Sequence, residues 1–369
     1  MNINKNELTQ WQLFFLIVQT QIGISILSLP NTVFKNAKWD GWISVLIAGI
    51  GIQIIITVIW MLLKNKNKME SIFSKQTLIF GKKIGSFFNL LYILFFIMIF
   101  SFVLVLYSEI IKTWILIYTP HWLIVLTLLI PIVYLVRAGL QPLARFYVLT
   151  IPIIILIIIS IAISYKRVNI FYILPIGYNG LQNILIASKD CIIAMLGLEV
   201  IMVGYTHTKI APKKAYFMSS LANIVVTIIY SFTVFTCSIY FSPEEINIVP
   251  HPVLYMTKGF TSPIIERVDL IFVTLWVLLV ITTASSYLYM ASFGLKYTFK
   301  KVNFKAIVIV VGFLSFFLTF IPREQYLLIK DIGKVISFVS FGFLFFLPVF
   351  LLILSIFIKR KGEKNETTT

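Results

Sequence analysis

The chain has 369 residues, 59% of them hydrophobic and 12% charged, and its mean hydropathy is +0.97. A soluble domain carries roughly 25% charged residues. So little charge cannot coat a water-exposed globule, which excludes a soluble enzyme, a disordered chain and a disulfide scaffold and leaves an all-α polytopic membrane protein. The net charge of +17 does not point to nucleic acid, because the basic residues sit between apolar runs, as loops at a membrane surface do. Cys191 and Cys237 both fall inside apolar runs and read as small core hydrophobes.

Crossing a ~30 Å hydrocarbon core takes about 20 helical residues. In chain order, ten apolar runs approach that length: 12–34, 41–63, 84–108, 121–137, 143–164, 182–205, 215–240, 268–292, 305–322 and 335–358. Continuous runs such as Ile151–Ile163 exclude the alternating pattern of a membrane β-barrel. The first run begins near Trp11 with no short basic start and no small-residue cleavage site, so no cleavable signal peptide is expected. Between runs, an amphipathic helix is expected around Met69–Phe80 and a short surface helix within 238–267. Pro131, Pro152 and Pro348 fall inside spans and are expected to kink them. With the N-terminus placed inside, the inner segments hold 20 of the 31 Lys and Arg residues. That bias puts both termini in the cytoplasm and requires an even number of spans. The whole chain 1–369 then forms one transmembrane domain, with a polar, mobile cytoplasmic tail at 359–369.

Ten spans divide into two five-helix halves, about 8–165 and 180–358, of opposite orientation. Inverted repeats of this kind carry interrupted first helices. Gly23-Ile24-Ser25 in the first span and Gly197-Leu198-Glu199 in the sixth occupy corresponding places, 174 residues apart. At such breaks, half-helix N-termini present free N–H groups that suit a carboxylate, and the opposing C-termini present carbonyls that suit an amine or a cation. A zwitterionic amino acid fits both. The carboxylate is expected on N–H groups near Ser25 and Ile26, and the amine on carbonyls around Gln21–Gly23 and Leu196–Gly197.

The stretch Leu13-Phe14-Phe15-Leu16, continuing through Gln19-Thr20-Gln21-Ile22-Gly23-Ile24-Ser25-Ile26-Leu27-Ser28-Leu29-Pro30, resembles the first helix of spore germination permeases. These are the B subunits of nutrient germinant receptors in endospore-forming bacteria. Gly197-Leu198-Glu199 is similar to the Gly-x-Glu segment of that family. The family lies in the amino acid–polyamine–organocation superfamily. The resemblance implies a LeuT-like 5+5 inverted repeat with helices 1 and 6 broken, and a receptor subunit in the spore inner membrane. It implies a nutrient such as an amino acid as ligand, and an A subunit and a lipoprotein C subunit as partners. The competing function is a secondary amino acid transporter coupled to H⁺ or Na⁺; fold does not separate the two.

Glu199 stands out because an ionised carboxylate at mid-membrane costs ~2.5–3.5 kcal/mol on the insertion scale. It organises the broken helix, or takes up a proton when ligand binds, or else caps the free N–H groups of the second half-helix without touching ligand. Thr282, Thr283, Ser285 and Ser286 cluster at mid-span of helix 8, with Thr282 and Ser286 on one face. By the resemblance these hydroxyls adjoin the first break; otherwise they bond between helices. Ser101 is the polar candidate on helix 3. The expected pocket is therefore Gly23, Ile24, Ser25, Ile26, Ser101, Gly197, Leu198, Glu199, Thr282, Thr283 and Ser286. Lys189 is expected to snorkel to the outer headgroups, and Glu109 and Lys112 to pair at the interface. His121, His207 and His251 share no metal-ligand spacing and read as surface residues. No nucleophile–base set, phosphate loop or zinc motif is present, so neither an enzyme nor a cofactor is expected.

Overall fold

Hydrocarbon cannot satisfy a bare N–H or C=O, and every apolar run named above contains helix in the computed structural model, which describes residues 7–65, 68–259, 267–322 and 325–366. Lys5, Lys66, Arg323 and residues 367–369 of the charge count and tail lie outside the described residues. The first span is two helices, α1 (Gln10–Gln21) and α2 (Ser25–Ala37), followed by α3 (Gly41–Leu63). Thr9 starts α1 through a capping box with Gln12, in which each residue's side chain accepts the other's backbone N–H. A two-stranded antiparallel turn pairs Lys64–Asn65 with Lys68–Met69. Next, α4 (Ile72–Trp114) is two helices joined at Gly81, whose φ of 76° lies outside the helical range. The short arm is the amphipathic segment expected near Met69–Phe80.

The remaining helices are α5 (His121–Arg137), α6 (Leu140–Leu149), α7 (Ile151–Ile163), α8 (Gly180–Ala194), α9 (Ile201–Gly204), α10 (Pro212–Tyr240), α11 (Pro243–Ile248), α12 (Pro252–Lys258), α13 (Val268–Thr298), α14 (Phe304–Leu318), α15 (Tyr326–Phe341) and α16 (Leu347–Glu366). Pro152 does not kink a continuous helix: the chain breaks at Thr150 and Pro152 opens α7, where its missing N–H costs nothing. Between α15 and α16, residues Gly342–Phe346 form a π-helical turn. The backbone of α16 is helical to Glu366, so the polar tail expected to be mobile is helical over most of its length. Among the described residues of 238–267, the segment expected to hold one short surface helix, there are two short helices after the end of α10. Most of α12 is buried against α2 and α13, and the Asn31 amide in α2 holds α11 by donating to the Ile246 carbonyl at 2.6 Å.

Among the described residues, six stretches are long and apolar enough to cross a membrane: Ser25–Leu63, Ile72–Trp114, Leu140–Arg167, Pro212–Tyr240, Val268–Thr298 and Leu327–Ile358. The helices α5 and α14 are shorter apolar elements. The breaks leave α1 and α8 short, at 12 and 15 residues. At the centre stands α13, buried on every face from Leu279 to Ser292 and packed against α4, α14, α5 and α1. On the opposite side, α10 packs against α3 and α1. The outer faces of α7, α14 and α15 expose Ile155, Phe313 and Phe338, as lipid-facing surfaces do.

Close packing of α13 onto α4 rests on Gly294, where an added Cβ would lie 2.5 Å from Phe73 and 2.7 Å from Ile93. Gly294→Ala is expected to destabilise the purified protein by about 1–3 kcal/mol, the usual cost of overpacking. Gly342→Ala, which meets nothing within 4 Å, should leave the melting temperature unchanged or higher. Thermal unfolding in detergent checks the pair.

Candidate functional site

The first break is a backbone event compensated by side chains from two other helices. After Gln21 the chain turns extended at Ile22 (φ −89°, ψ 92°), and α2 restarts at Ser25 with no side-chain cap. Gly23 favours the interruption because it stabilises helix least of the non-proline residues. Three of the carbonyls at the break are met by side chains elsewhere. The Gln19 carbonyl accepts from the hydroxyls of Thr282 and Thr283, each at 3.2 Å. The Gln21 carbonyl accepts from the Tyr230 hydroxyl at 3.0 Å, and the Gly23 carbonyl from the Trp276 indole at 3.3 Å. These donors come from α10 and α13, so these three carbonyls are satisfied inside the protein and not by lipid.

The second break lies directly against the first. Helix α8 ends at Ala194, Gly197 adopts φ 128°, and the chain resumes as a 3₁₀ turn at Leu198–Val200. A Cβ on Gly197 would sit 2.5 Å from the Thr20 carbonyl oxygen and 2.7 Å from the Gln21 nitrogen. Only glycine fits both this φ and this approach. Cross-links reinforce the contact: Tyr230 also donates to the Ala194 carbonyl at 3.3 Å, and the Gln21 amide donates to the Met195 carbonyl at 3.0 Å. Glu199 is fully buried, and its carboxylate accepts the Gly197 N–H at 2.5 Å with the Tyr287 hydroxyl 3.4 Å away.

Above the breaks opens a cavity of about 1070 Å³. Its floor is Thr20, Gln21, Gly23, Ile24, Ser25, Leu196, Thr283 and Tyr287. It follows α2 past Ser28, Asn31 and Thr32 to a rim that carries Lys35, Asp190, Glu109, Lys330 and Lys334. Apolar walls come from Ile99, Phe102 and Val103 in α4 and Ile193 in α8. Below the floor the way is blocked by a buried polar knot. Tyr147 of α6 donates to the Thr282 carbonyl and contacts Ser286, Ser286 contacts Thr20, and the Gln19 amide reaches Thr150. Further down, the Leu8 N–H bonds the His207 carbonyl at 2.7 Å and Glu7 pairs with Lys209 at 2.6 Å. The cavity is thus open at the C-terminal end of α2 and closed at the N-terminal end of α1.

A family profile described as spore germination protein matches residues 7–326. The chain belongs to that family. The spore germination protein YndE of Bacillus subtilis is 27% identical over 97% of this germination protein and 99% of its own length. Spore germination protein A2 of the same species is 29% identical over 96% and 97% of the two chains, and GerQB of Bacillus cereus 26% over 85% and 87%. In fold, the germination protein is similar to MhsT in complex with L-phenylalanine, with a TM-score of 0.70 and 14% identity over 95% of this chain and 90% of that one. It is also similar to Mhp1, a nucleobase-cation-symport-1 family transporter, with a TM-score of 0.61 and 14% identity over 93% and 79%. The germination protein is a multi-pass membrane protein with LeuT-like fold neighbours.

Of the residues singled out from the sequence, the germination protein brings Gly23, Ile24, Ser25 and Thr283 to the cavity floor. Gly197 forms the contact between breaks, and Ile26 and Leu198 are buried in the core beside it. Thr282 and Ser286 lie behind the floor in the polar knot, and Glu199 lies behind Tyr287. The Ser101 hydroxyl turns back to the Ile97 carbonyl at 2.8 Å, while its neighbours Phe102 and Val103 face the cavity. Two histidines expected on the surface are built into the fold: His121 is buried with Nδ1 2.9 Å from the Ser108 hydroxyl, and His207 meets Tyr289 at 3.3 Å. Sequence reasoning passed over the side chains of Thr20, Gln21, Tyr230, Trp276 and Tyr287. The signal for the first two was present, as consecutive polar residues inside an apolar run.

A Cβ on Gly23 would lie 2.6 Å from the Thr283 hydroxyl oxygen, a side-chain atom. Gly23→Ala is therefore expected to weaken germination, and the Gly23→Ala/Thr283→Ala pair to fall well short of the sum of the two single effects. Gly197→Ala meets backbone, which no truncation relieves, and should abolish folded protein in the membrane. Germination dose–response curves with immunoblots of membrane fractions check all four variants.

Proposed function

We propose that the chain is the nutrient-binding subunit of a spore germinant receptor and takes a small amino acid at the helix breaks. It does no chemistry on the ligand; occupancy is passed to an A subunit and a lipoprotein C subunit in the spore inner membrane. The observation that carries this reading is a cavity ending on unwound backbone, in a chain of the spore germination family. The uncapped first turn of α2 offers N–H groups at Ser25 and Ile26 to a carboxylate. Ile24, Val103 and Leu196 around them suit an aliphatic side chain. In the full arrangement we propose, ten spans form two inverted five-helix repeats with both termini cytoplasmic. The cavity then opens away from the cytoplasm, toward incoming nutrient.

Likeness in fold to MhsT with bound L-phenylalanine and to the transporter Mhp1 supports a second reading, secondary transport of an amino acid coupled to H⁺ or Na⁺. The two diverge in experiment. Spores lacking this chain should lose germination toward one class of nutrient and keep their response to others. Vesicles holding this chain alone should take up no labelled amino acid. Uptake driven by an H⁺ or Na⁺ gradient, with germination unaffected by the deletion, would reverse the assignment.

A further inference from the structure

One side-chain acceptor at the two breaks is left without a donor. An amine entering the site was expected to meet peptide carbonyls, and several carbonyls there are already engaged. Gln19 holds two threonine hydroxyls, Gln21 and Ala194 share the Tyr230 hydroxyl, Gly23 holds the Trp276 indole, and Met195 holds the Gln21 amide. The side-chain oxygen of Gln21 is not engaged. The residue is 1% exposed and lines the cavity floor, and its Oε1 has no hydrogen-bond partner among the described residues. Its orientation is fixed chemically. The other end of the amide faces the Met195 carbonyl at 3.0 Å, and only the NH₂ end can bond a carbonyl, so the oxygen is the free end. A buried acceptor without a donor is destabilising and marks a place where a donor belongs.

We infer that Gln21 Oε1 receives the protonated amine of the ligand, so that the site selects compounds bearing a free primary ammonium beside a carboxylate. This rests on the nutrient-binding reading above. The uncapped first turn of α2 supplies the carboxylate end, because the Leu27 N–H already bonds the Ile24 carbonyl at 3.2 Å while Ser25 has no cap before it. Donors and acceptor stand on either side of Gly23, the residue whose missing side chain lets a ligand lie along the backbone. An ammonium–carbonyl bond is charge-assisted and stronger than a neutral one. A deaminated ligand leaves the oxygen unpaired, and an N-acetyl ligand brings bulk and no charge. The same amide that meets the ammonium holds the end of α8 through Met195, so the ligand's amine is one side chain removed from the second break.

The test uses the full chain in nanodiscs and reads dissociation constants by calorimetry. The probes are L-alanine, L-valine and L-phenylalanine with their deaminated counterparts propionate, isovalerate and 3-phenylpropionate. Wild type should prefer the best-bound amino acid over its deaminated partner, and Gln21→Leu should cut that ratio by at least about tenfold. A merely structural Gln21 would weaken both members equally and leave the ratio unchanged, which overturns the assignment alone. Should Gln21→Leu not fold, Gln21→Glu, which keeps an oxygen acceptor, decides the matter: retained preference supports the assignment and a collapsed ratio overturns it. Binding of none of the three amino acids by wild type would overturn the amino acid reading and this inference with it.

Discussion

Two unwound segments of backbone lie in contact at the middle of this protein, and the contact exists only because residue 197 is glycine. The Thr20 carbonyl and the Gln21 nitrogen occupy the space that any Cβ at that position would claim. A lipid environment explains why the arrangement is demanding. Each unwound peptide group must find its partner within the protein, since hydrocarbon supplies none. Placing the two breaks against each other lets a single residue serve both, as the Tyr230 hydroxyl does between the Gln21 and Ala194 carbonyls. It also forces the surrounding helices into place. The buried stretch of α13 carries its threonines and Trp276 to the first break, and Tyr287 beside Glu199 at the second.

The same constraint produces the asymmetry of the cavity. On one side of the breaks, α2 runs alongside an open space that ends in a charged rim. On the other, Tyr147, Thr20, Ser286, Gln19 and Thr150 form a closed set of buried hydrogen bonds, with Leu8 held to His207 beyond it. Buried networks of this kind are stable when fully satisfied and costly when partly so. Thr20 and Thr283 bring the edge of that network to the cavity floor. A ligand at the breaks, as proposed above, would therefore bear on the packing of α1 against α6 and α13.

Much of the fold was legible because membrane helices announce themselves by length and apolarity, and because Gly23 and Gly197, each followed by an apolar and then a polar residue, stand 174 residues apart. Gly23 and Gly197 were found this way, and both mark interruptions. Features set by tertiary contact were not legible. The hinge at Gly81 reads in sequence as any glycine near a helix start, and the burial of α12 depends on partners far away in the chain. The hydroxyl cluster of α13 was visible, but its division was not: Thr283 reaches the cavity, whereas Thr282 and Ser286 replace bonds lost at the break or tie α13 to α1 and α6. Ser101 sat on the right helix, one position away from the residues that face the cavity. Spacing fixes a face only to within a turn, and a serine in a helix can satisfy itself on the preceding turn, as Ser101 does.

In the proposed reading, an amino acid reaches unwound backbone at Gly23–Ser25 from the side where α2 ends. Thiol accessibility tests it directly, in a chain whose buried Cys191 and Cys237 are replaced by alanine and which carries Ser25→Cys. A membrane-impermeant maleimide applied from the open side should label this cysteine, and a saturating amino acid should slow the labelling. Labelling only from the opposite side, or at a rate that a germination-saturating amino acid does not change, would contradict this route.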